Sequence, residues 1–428
     1  MKVSLYILSF LSPLALLAVD IGEGWNVNGD IRTGWVEYDY GNANGDSDKS
    51  KGHKDSQGWY LIPKLSISSP VYNGFSGKVT GAGVTDFGLN QEGRESRTFA
   101  YNPQEGSYAI VQEAFVQYND KENHLLIGRN EFISPMIDAD DFYLLADTFE
   151  VADYAYKGFE STMLGGGYIH KMAGVWDSGD SANKGTTFAS MSDASYVSQQ
   201  DKDNADDTGV WYIHADYDDK THQVKAWDYY ATDLYNILFL QYDFLNQAGS
   251  LSYDFAVQAI DFEEVGKLAD NDFTKISYTM YSAKFDGSFD NGFSFATGAT
   301  KYTDGEGQGA TLGSWGGYDY YFANGMVFHF FEAGSLQNAA SYKLQGSYDF
   351  AKLGIAGLKA SLRFTHFDLD PEYSKSSTGR GQDKLDLQGL RVNYAFLDGG
   401  YFTGTYEQYQ LTHESDTYAL RLIGGFKF

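Results

Sequence analysis

The feature that most restricts the fold of this chain is a recurring segment of about ten residues in which apolar and polar side chains alternate. A period of two places each kind of side chain on one face of a β-strand. The last such segment is the clearest, because Tyr418, Leu420 and Leu422 share one face while Arg421 and Lys427 occupy the other. A strand of this kind can separate an apolar medium from water.

Eighteen segments follow this pattern, and their number and order carry more weight than any one of them. They cover residues 26–40, 58–68, 74–87, 108–118, 123–130, 148–158, 164–176, 209–217, 222–231, 234–244, 249–262, 274–285, 292–302, 339–350, 357–368, 383–396, 399–410 and 418–428. An even number of antiparallel strands brings both chain ends to the same side of a membrane. The pattern predicts an all-β fold, a transmembrane antiparallel β-barrel of about 18 strands, with about sixteen as the alternative count.

The connections between these segments fall into two kinds. Short turns are predicted at 119–122, 218–221, 245–248 and 397–398, whereas 41–57, 88–107, 177–208 and 303–338 are long and polar. Bacterial barrels keep short turns in the periplasm and long loops outside the cell. A barrel with about 18 strands encloses an aqueous lumen rather than a filled core.

Composition supports strands as the membrane-crossing elements. After the N-terminus, no stretch approaches the roughly 18 consecutive apolar residues of a spanning helix. The 34 Tyr and 30 Phe residues suit a wall with aromatic girdles at both membrane surfaces. The absence of Cys excludes disulfides, thiol nucleophiles and cysteine-bound zinc, and the net charge of −27 argues against a nucleic-acid partner.

The N-terminus has the features of a secretory signal peptide. Lys2 precedes an apolar run from Val3 to Leu17, and the small residue Ala18 stands before the polar sequence that begins at Asp20. We expect residues 1–18 to be removed and residues 19–428 to form the barrel as a single domain. A membrane-anchoring helix is the alternative, although the apolar run is short for a full span.

Alternation also predicts which face of a strand meets water. In 357–368, Leu362 and Phe364 share a face that excludes Arg363. A basic side chain that faces lipid at mid-depth costs about 2–4 kcal/mol, so Arg363 is expected to face the lumen. In 383–396 the apolar parity changes between Leu387 and Leu390, and a β-bulge at Gly389 would explain the change.

Residues 128–149 join the fifth and sixth predicted strands and carry a series of short motifs. The series is Gly128-Arg129, Pro135-Met136, Asp140-Asp141 and Thr148-Phe149. A second series comprises Tyr348-Asp349-Phe350, the segment Gly354 to Leu358, and Arg363. In these motifs the chain resembles bacterial outer-membrane porins of the OprD type, and the resemblance is compatible with the whole mature chain.

The resemblance implies that the third extracellular loop folds into the barrel and narrows it, opposite a ladder of basic wall residues. Fixed acids opposite fixed bases produce a transverse field that orients solutes with a carboxylate or ammonium group. A solvated loop tip is the alternative for the acidic run 138–141. Carried over residue by residue, the loop candidates are Ser134, Pro135, Asp138, Asp140 and Asp141, and the wall candidates are Arg129, Lys359, Arg363, Arg391 and Arg421.

The C-terminus ends on Phe428 after an alternating strand. Such an ending resembles the recognition signal that the bacterial barrel-insertion machinery reads. Phe428 is therefore the candidate assembly signal, and this machinery is an expected partner, together with outer-membrane lipid and lipopolysaccharide.

The leading functional hypothesis is a porin in the bacterial cell outer membrane, a passive diffusion channel for small hydrophilic solutes that is either substrate-selective or moderately general. Ions, amino acids, carboxylates and small peptides are all open as solutes. The alternatives are a non-conducting surface or adhesion protein and a barrel hydrolase. A homotrimer and a monomer are both compatible with the sequence.

No motif in the sequence indicates catalysis or a cofactor. A Gly-x-Ser-x-Gly elbow and a phosphate-binding glycine loop with its lysine are absent, and the eight His residues include no closely spaced ligand pair. We predict no enzymatic activity, no cofactor and no metal centre. The acidic clusters at 46–55 and 201–207 could bind Ca²⁺, with solvated loops as the default interpretation.

Overall fold

The chain forms one antiparallel sheet that closes on itself. A computed structural model describes residues 22–39, 56–90, 107–139, 144–173, 188–195, 209–270, 277–303, 315, 322–326, 336–375, 380–396, 398–413 and 416–428. The eighteen barrel strands are β1 (Asn26–Asp39), β2 (Ser56–Ser68), β3 (Phe75–Val84), β4 (Tyr108–Asn119), β5 (Asn123–Asn130), β6 (Thr148–Phe159), β7 (Thr162–Ala173), β8 (Val210–Asp218), β9 (His222–Ala231), β10 (Tyr235–Ala248), β11 (Leu251–Glu264), β12 (Tyr278–Phe289), β13 (Phe293–Tyr302), β14 (Ala340–Asp349), β15 (Leu358–Asp368), β16 (Lys384–Phe396), β17 (Gly400–Leu411) and β18 (Thr417–Lys427).

Each strand pairs with its neighbour in sequence, and the last strand pairs with the first. The β1–β18 register runs from Asp30 opposite Lys427 to Asp39 opposite Tyr418. Phe428 extends this seam, since its backbone N–H and C=O both bond Gly29 at 2.9 and 2.8 Å. A Cβ at Gly29 would overlap the Phe428 ring. Closure satisfies the backbone groups that an open sheet edge would expose to lipid.

The predicted barrel of eighteen antiparallel strands is confirmed, and every predicted segment overlaps one observed strand. Short connections lie at one end, from two residues at 160–161 to eight at 350–357, where a 3-10 helix (Phe350–Leu353) forms. The long connections lie at the other end, which we call the loop end, together with two short ones at 232–234 and 412–416. A two-residue strand, Ala189–Ser190, pairs with β7 there, and a one-turn helix covers Gly266–Ala269. Among the described residues, no helix is long and apolar enough to span a bilayer.

The predicted bulge at Gly389 was wrong. The register of β16 with both neighbours is continuous through this residue. Leu385 and Leu387 face inward and are fully buried, whereas Leu390 faces outward and is exposed. The apolar pattern therefore changes face because the barrel interior is apolar near the loop end.

A β-bulge occurs instead between β3 and β4. The register shifts between Thr80 and Gly81, and Thr80 pairs with Glu113 while Gly81 pairs with Val111. Gln112 is the additional residue, and both Gln112 and Glu113 are buried. A bulge permits two successive side chains to leave the alternating pattern, so two polar groups lie inside the wall at this point.

Two short turns share one stabilising arrangement. Asp120 accepts hydrogen bonds from the backbone N–H groups of Asn123 and Glu122 at 2.6 and 2.8 Å, and Asp219 does the same for His222 and Thr221. These donors favour the ionised carboxylate. The backbone N–H of Asn123, then that of Glu122, lowers the pKa of Asp120 to about 2.

We expect the Asp120 carboxyl carbon to titrate at pH about 2 in the NMR spectrum of the folded barrel, below its ordinary value of 3.8. Because the folded-state pKa is depressed, the turn gains stability that is present above pH 3.8 and lost as the pH falls through about 2. A peptide of residues 116–126 is the unfolded control. The same titration midpoint in peptide and barrel would contradict this account of the turn.

Candidate functional site: the inner wall of the barrel

Exposed apolar side chains mark the outward face of strands β2 to β18, and the residues between them point inward. On β15, Leu362 and Phe364 are exposed, so Arg363 points inward. Its guanidinium donates to Asn324 Oδ1 at 3.1 Å and to Gln345 Oε1 at 2.8 Å. On β16, Arg391 donates to the carbonyl of Met326 at 2.6 Å. Both predicted wall residues therefore lie inside the barrel.

The two remaining wall candidates on the late strands, Arg421 and Lys359, also point inward. Arg421 alternates with the exposed Leu422 and shares its face with the buried Ile423. Lys359 shares the inward parity of β15, and its Nζ lies 3.7 Å from a carboxylate oxygen of Asp349 at the turn end. These four residues lie on β15, β16 and β18, three of four consecutive strands.

Sequence reasoning missed four basic residues that extend this group. Lys78 is adjacent to the exposed Val79, and Lys343 lies between the exposed residues Tyr342 and Leu344. For Lys64, Lys78 and Lys343, an exposed apolar neighbour in the strand is the signal that could have identified them. The residues missed are Arg32 on β1, Lys64 on β2, Lys78 on β3 and Lys343 on β14.

Arg129 is a correction to the predicted wall. It lies on the same face of β5 as Ile127, which is exposed on the outer surface. Its pairing partner on β4, Ala114, lies on the same face of that strand as the exposed Val116. Its guanidinium forms an ion pair with Glu150 at 2.9 Å. Arg129 therefore lies on the outer surface, and the sequence prediction failed because β5 is short and its alternation is weak.

The inner wall opposite the basic strands carries mainly acidic groups. Lys284 on β12 lies 2.6 Å from Asp254, 3.5 Å from Asp286 and 3.9 Å from Asp243. These three carboxylates, on β10, β11 and β12, surround a single ammonium group, so the cluster carries more negative than positive charge. Asp216 adds a further carboxylate on β8. The described inner wall is therefore divided between a mainly basic part, β14 to β3, and a mainly acidic part, β8 to β12.

The described parts of the β5–β6 connection, 131–139 and 144–147, contact inward-facing residues on well-separated strands. Ser134 Oγ accepts a hydrogen bond from Tyr229 on β9 at 2.9 Å. Backbone bonds join Met136 and Asp138 to Trp315 at 3.1 Å each. The predicted acidic pair, Asp140 and Asp141, lies outside the described residues.

The same connection is fixed on the basic side of the wall. Glu131 Oε1 accepts from Lys64 Nζ at 2.7 Å and from Nε2 of the bulge residue Gln112 at 3.0 Å. Arg32 on β1 donates to the carbonyl of Leu144 at 3.0 Å. Contacts with β1, β2 and β4 on one side and with β9 on the other hold the segment across several strands of the inner wall.

A second segment, 322–326, lies against the inner wall of β13 to β17. Thr365 Oγ1 donates to the Asn324 carbonyl at 2.8 Å, and Ser341 Oγ donates to the Ala323 carbonyl at 3.0 Å. The buried carboxylate of Glu407 accepts from the Met326 N–H at 2.7 Å. The aromatic runs 318–322 and 327–331 of the same connection lie outside the described residues except for Phe322.

A cavity of about 860 Å³ lies beside the β5–β6 connection. Pro135 and Asp138 line it on the connection side, and Lys225, Trp227 and Gln258 line it on the strand side. It therefore combines carboxylate, ammonium, amide and aromatic groups. A volume in this range accommodates a small molecule.

Comparison with solved structures identifies the architecture. Outer membrane protein opdK from Pseudomonas aeruginosa aligns with a TM-score of 0.74 and 15% identity, over 94% of this chain and 98% of that one. A BenF-like porin from Pseudomonas fluorescens Pf-5 aligns with a TM-score of 0.77 and 15% identity, over 95% of this chain and 99% of that one. The fold is that of the OprD-type porins. OccAB2 from Acinetobacter baumannii aligns with a TM-score of 0.74 and 15% identity, over 94% of this chain and 98% of that one.

These neighbours are outer-membrane porins, and the barrel is consistent with the same location. At 15% identity, these alignments show a shared fold. No protein-family model matches the sequence, and no curated protein matches it.

We expect Glu131→Ala to loosen the β5–β6 connection, because one carboxylate oxygen accepts from both Lys64 and Gln112. Hydrogen bonds to a charged group contribute about 1.5–3 kcal/mol, so amide exchange in 131–139 should accelerate by about tenfold or more. Mass spectrometry of deuterium uptake measures this change. Glu372→Ala, at an exposed loop position, is the matched control.

Equal uptake in Glu131→Ala and wild type would show that these contacts do not hold the segment. The comparison is valid only in samples whose circular dichroism shows an intact barrel.

Proposed function

We propose that this protein is an outer-membrane channel that passes small hydrophilic solutes by passive diffusion. A closed barrel with exposed Leu, Ile, Val and aromatic side chains outside and charged side chains inside supports this function. Lipid solvates the first surface and water the second. The likeness of fold to outer-membrane porins supports the same function.

The observation that carries the proposal is the division of charge around the inner wall. Arg32, Arg363, Arg391 and Arg421 belong to the basic strands, and the carboxylates around Lys284 belong to the acidic strands. Charges of opposite sign across a narrow, low-dielectric passage focus the field between them. A solute with a carboxylate at one end would align with that end toward the arginines.

The β5–β6 connection forms the constriction in this proposal. Ser134, Pro135, Asp138, Asp140 and Asp141 are its proposed loop residues. Contacts to both parts of the divided wall support an inward-folded third loop at this position. The cavity lined by Pro135 and Asp138 is where a solute would pause.

The proposed solute class is small organic anions and zwitterions. The described basic residues lie on seven of the eight strands from β14 to β3 and form a row of attractive positions, as a diffusing carboxylate requires. A solved neighbour, OpdK, was crystallised with vanillate, and that compound is a suitable first probe. Trp227, which lines the cavity, offers an aromatic surface for such a ring.

Several sequence expectations remain proposals beside this function. Residues 1–18 act as the signal peptide, and Phe428 acts as the assembly signal for the insertion machinery. Phe428 is suited to the second role because it continues the β1–β18 seam with two backbone hydrogen bonds. We propose no enzymatic activity and no cofactor.

Purified protein reconstituted in a planar bilayer should give stepwise ionic conductance. Vanillate added on one side should block the current transiently, because a solute in the cavity displaces ions. Bilayers that stay silent with protein folded and inserted would contradict the channel function and favour a non-conducting surface protein.

We expect Arg363→Gln combined with Arg421→Gln to shift ion preference toward cations, because two inward positive charges are removed. The reversal potential in a tenfold salt gradient measures the shift. Arg129→Gln is the matched control, since it removes the same kind of charge from the outer surface.

An unchanged reversal potential in the double variant would contradict the basic wall. An equal shift per charge in Arg129→Gln would show that general surface charge, rather than the inner wall, sets the preference.

A further inference from the structure

A group of basic residues lies on the outer surface of the barrel, away from the channel. The strand registers place Arg129 opposite Glu150 and Glu150 opposite Lys171, in one row across β5, β6 and β7. His170 lies beside the row, with its Nδ1 3.5 Å from Glu150, and about half of its side chain is exposed. The row contains two permanent cations and one carboxylate, in a chain whose net charge is −27.

The row lies at a defined level on the outer surface. Below it, toward the turn end, Ile127 and Ile213 are exposed and suit acyl chains. Tyr168 and Trp211 pack with ring centroids 4.5 Å apart, and Trp211 is 57% exposed. Tyr and Trp are enriched where acyl chains meet headgroups. Lys171 follows Tyr168 toward the loop end, so it lies on the headgroup side of this aromatic pair.

The arginine in this row is held in a fixed orientation. Its Nε and a terminal nitrogen both lie 2.9 Å from Glu150 Oε1. The Phe188 ring lies 3.9 Å from the guanidinium carbon. A guanidinium fixed between a carboxylate and an aromatic ring keeps its remaining N–H groups available, and its planar geometry matches phosphate oxygens.

We propose that this row, Arg129, His170 and Lys171, binds a phosphate group of an outer-leaflet glycolipid whose acyl chains lie along Ile127 and Ile213. The positive charge of the row, its position at the headgroup level and the apolar surface below the row all fit one amphiphile with a phosphorylated sugar headgroup. A phosphate here offsets two cations that would otherwise face the lipid side of the wall with a single counter-charge.

The test uses the delipidated full-length barrel in detergent and diphosphorylated lipid A as the probe. Native mass spectrometry counts the lipid that each protein retains. We expect Arg129→Gln combined with Lys171→Gln to weaken retention by about tenfold, as expected for the loss of charge-assisted bonds to phosphate. Glu150→Gln should strengthen retention, because it removes the competing carboxylate.

The matched control is Lys301→Gln combined with Lys384→Gln, two outward lysines on β13 and β16 that already contact Asn338 and Asp386. It should retain lipid A as wild type does. Equal retention in the Arg129 and Lys171 variant would overturn the proposal, as would equal binding of lipid A without its phosphates. Weaker retention in the Glu150→Gln variant would also overturn it. The channel measurements are independent of every one of these outcomes.

Discussion

Every backbone N–H and C=O in the membrane must find a partner within the protein, because lipid offers none. This constraint determines the rest of the structure. The chain meets it by pairing each strand with the next and by joining Thr417–Lys427 to Asn26–Asp39. Once the sheet is closed, side-chain alternation has a fixed meaning: one parity faces lipid and the other faces the interior. Arg363 and Leu362 are adjacent in sequence but lie in different solvents.

The closed wall was predictable because alternation is a local property of the sequence. All eighteen segments could be located from it, and the inward orientation of Arg363 followed from the cost of exposing a cation to lipid. The boundaries were less accurate. The turn expected at 245–248 belongs to β10, which continues to Ala248.

The interior near the loop end could not be predicted, because long-range contacts determine it. Leu385 and Leu387 resemble lipid-facing residues in sequence, yet they are buried inside, in one apolar cluster with Trp315 and Met326 from a distant connection. The position of 322–326 against β13 to β17 depends on hydrogen bonds to Thr365 and Ser341, which no sequence motif indicates. Arg129 was misplaced because β5 has only eight residues, too few to fix its parity.

The central claim is that adjacent residues of one strand face water and lipid in turn, and the natural absence of Cys makes it directly testable. Single substitutions Ser347→Cys, Ser361→Cys, Leu344→Cys and Leu362→Cys place a thiol at each parity of β14 and β15. In intact membranes, a charged, water-soluble thiol reagent should label the two former Ser positions through the lumen and spare the two former Leu positions. Equal labelling of all four positions, or the reverse pattern, would contradict the account.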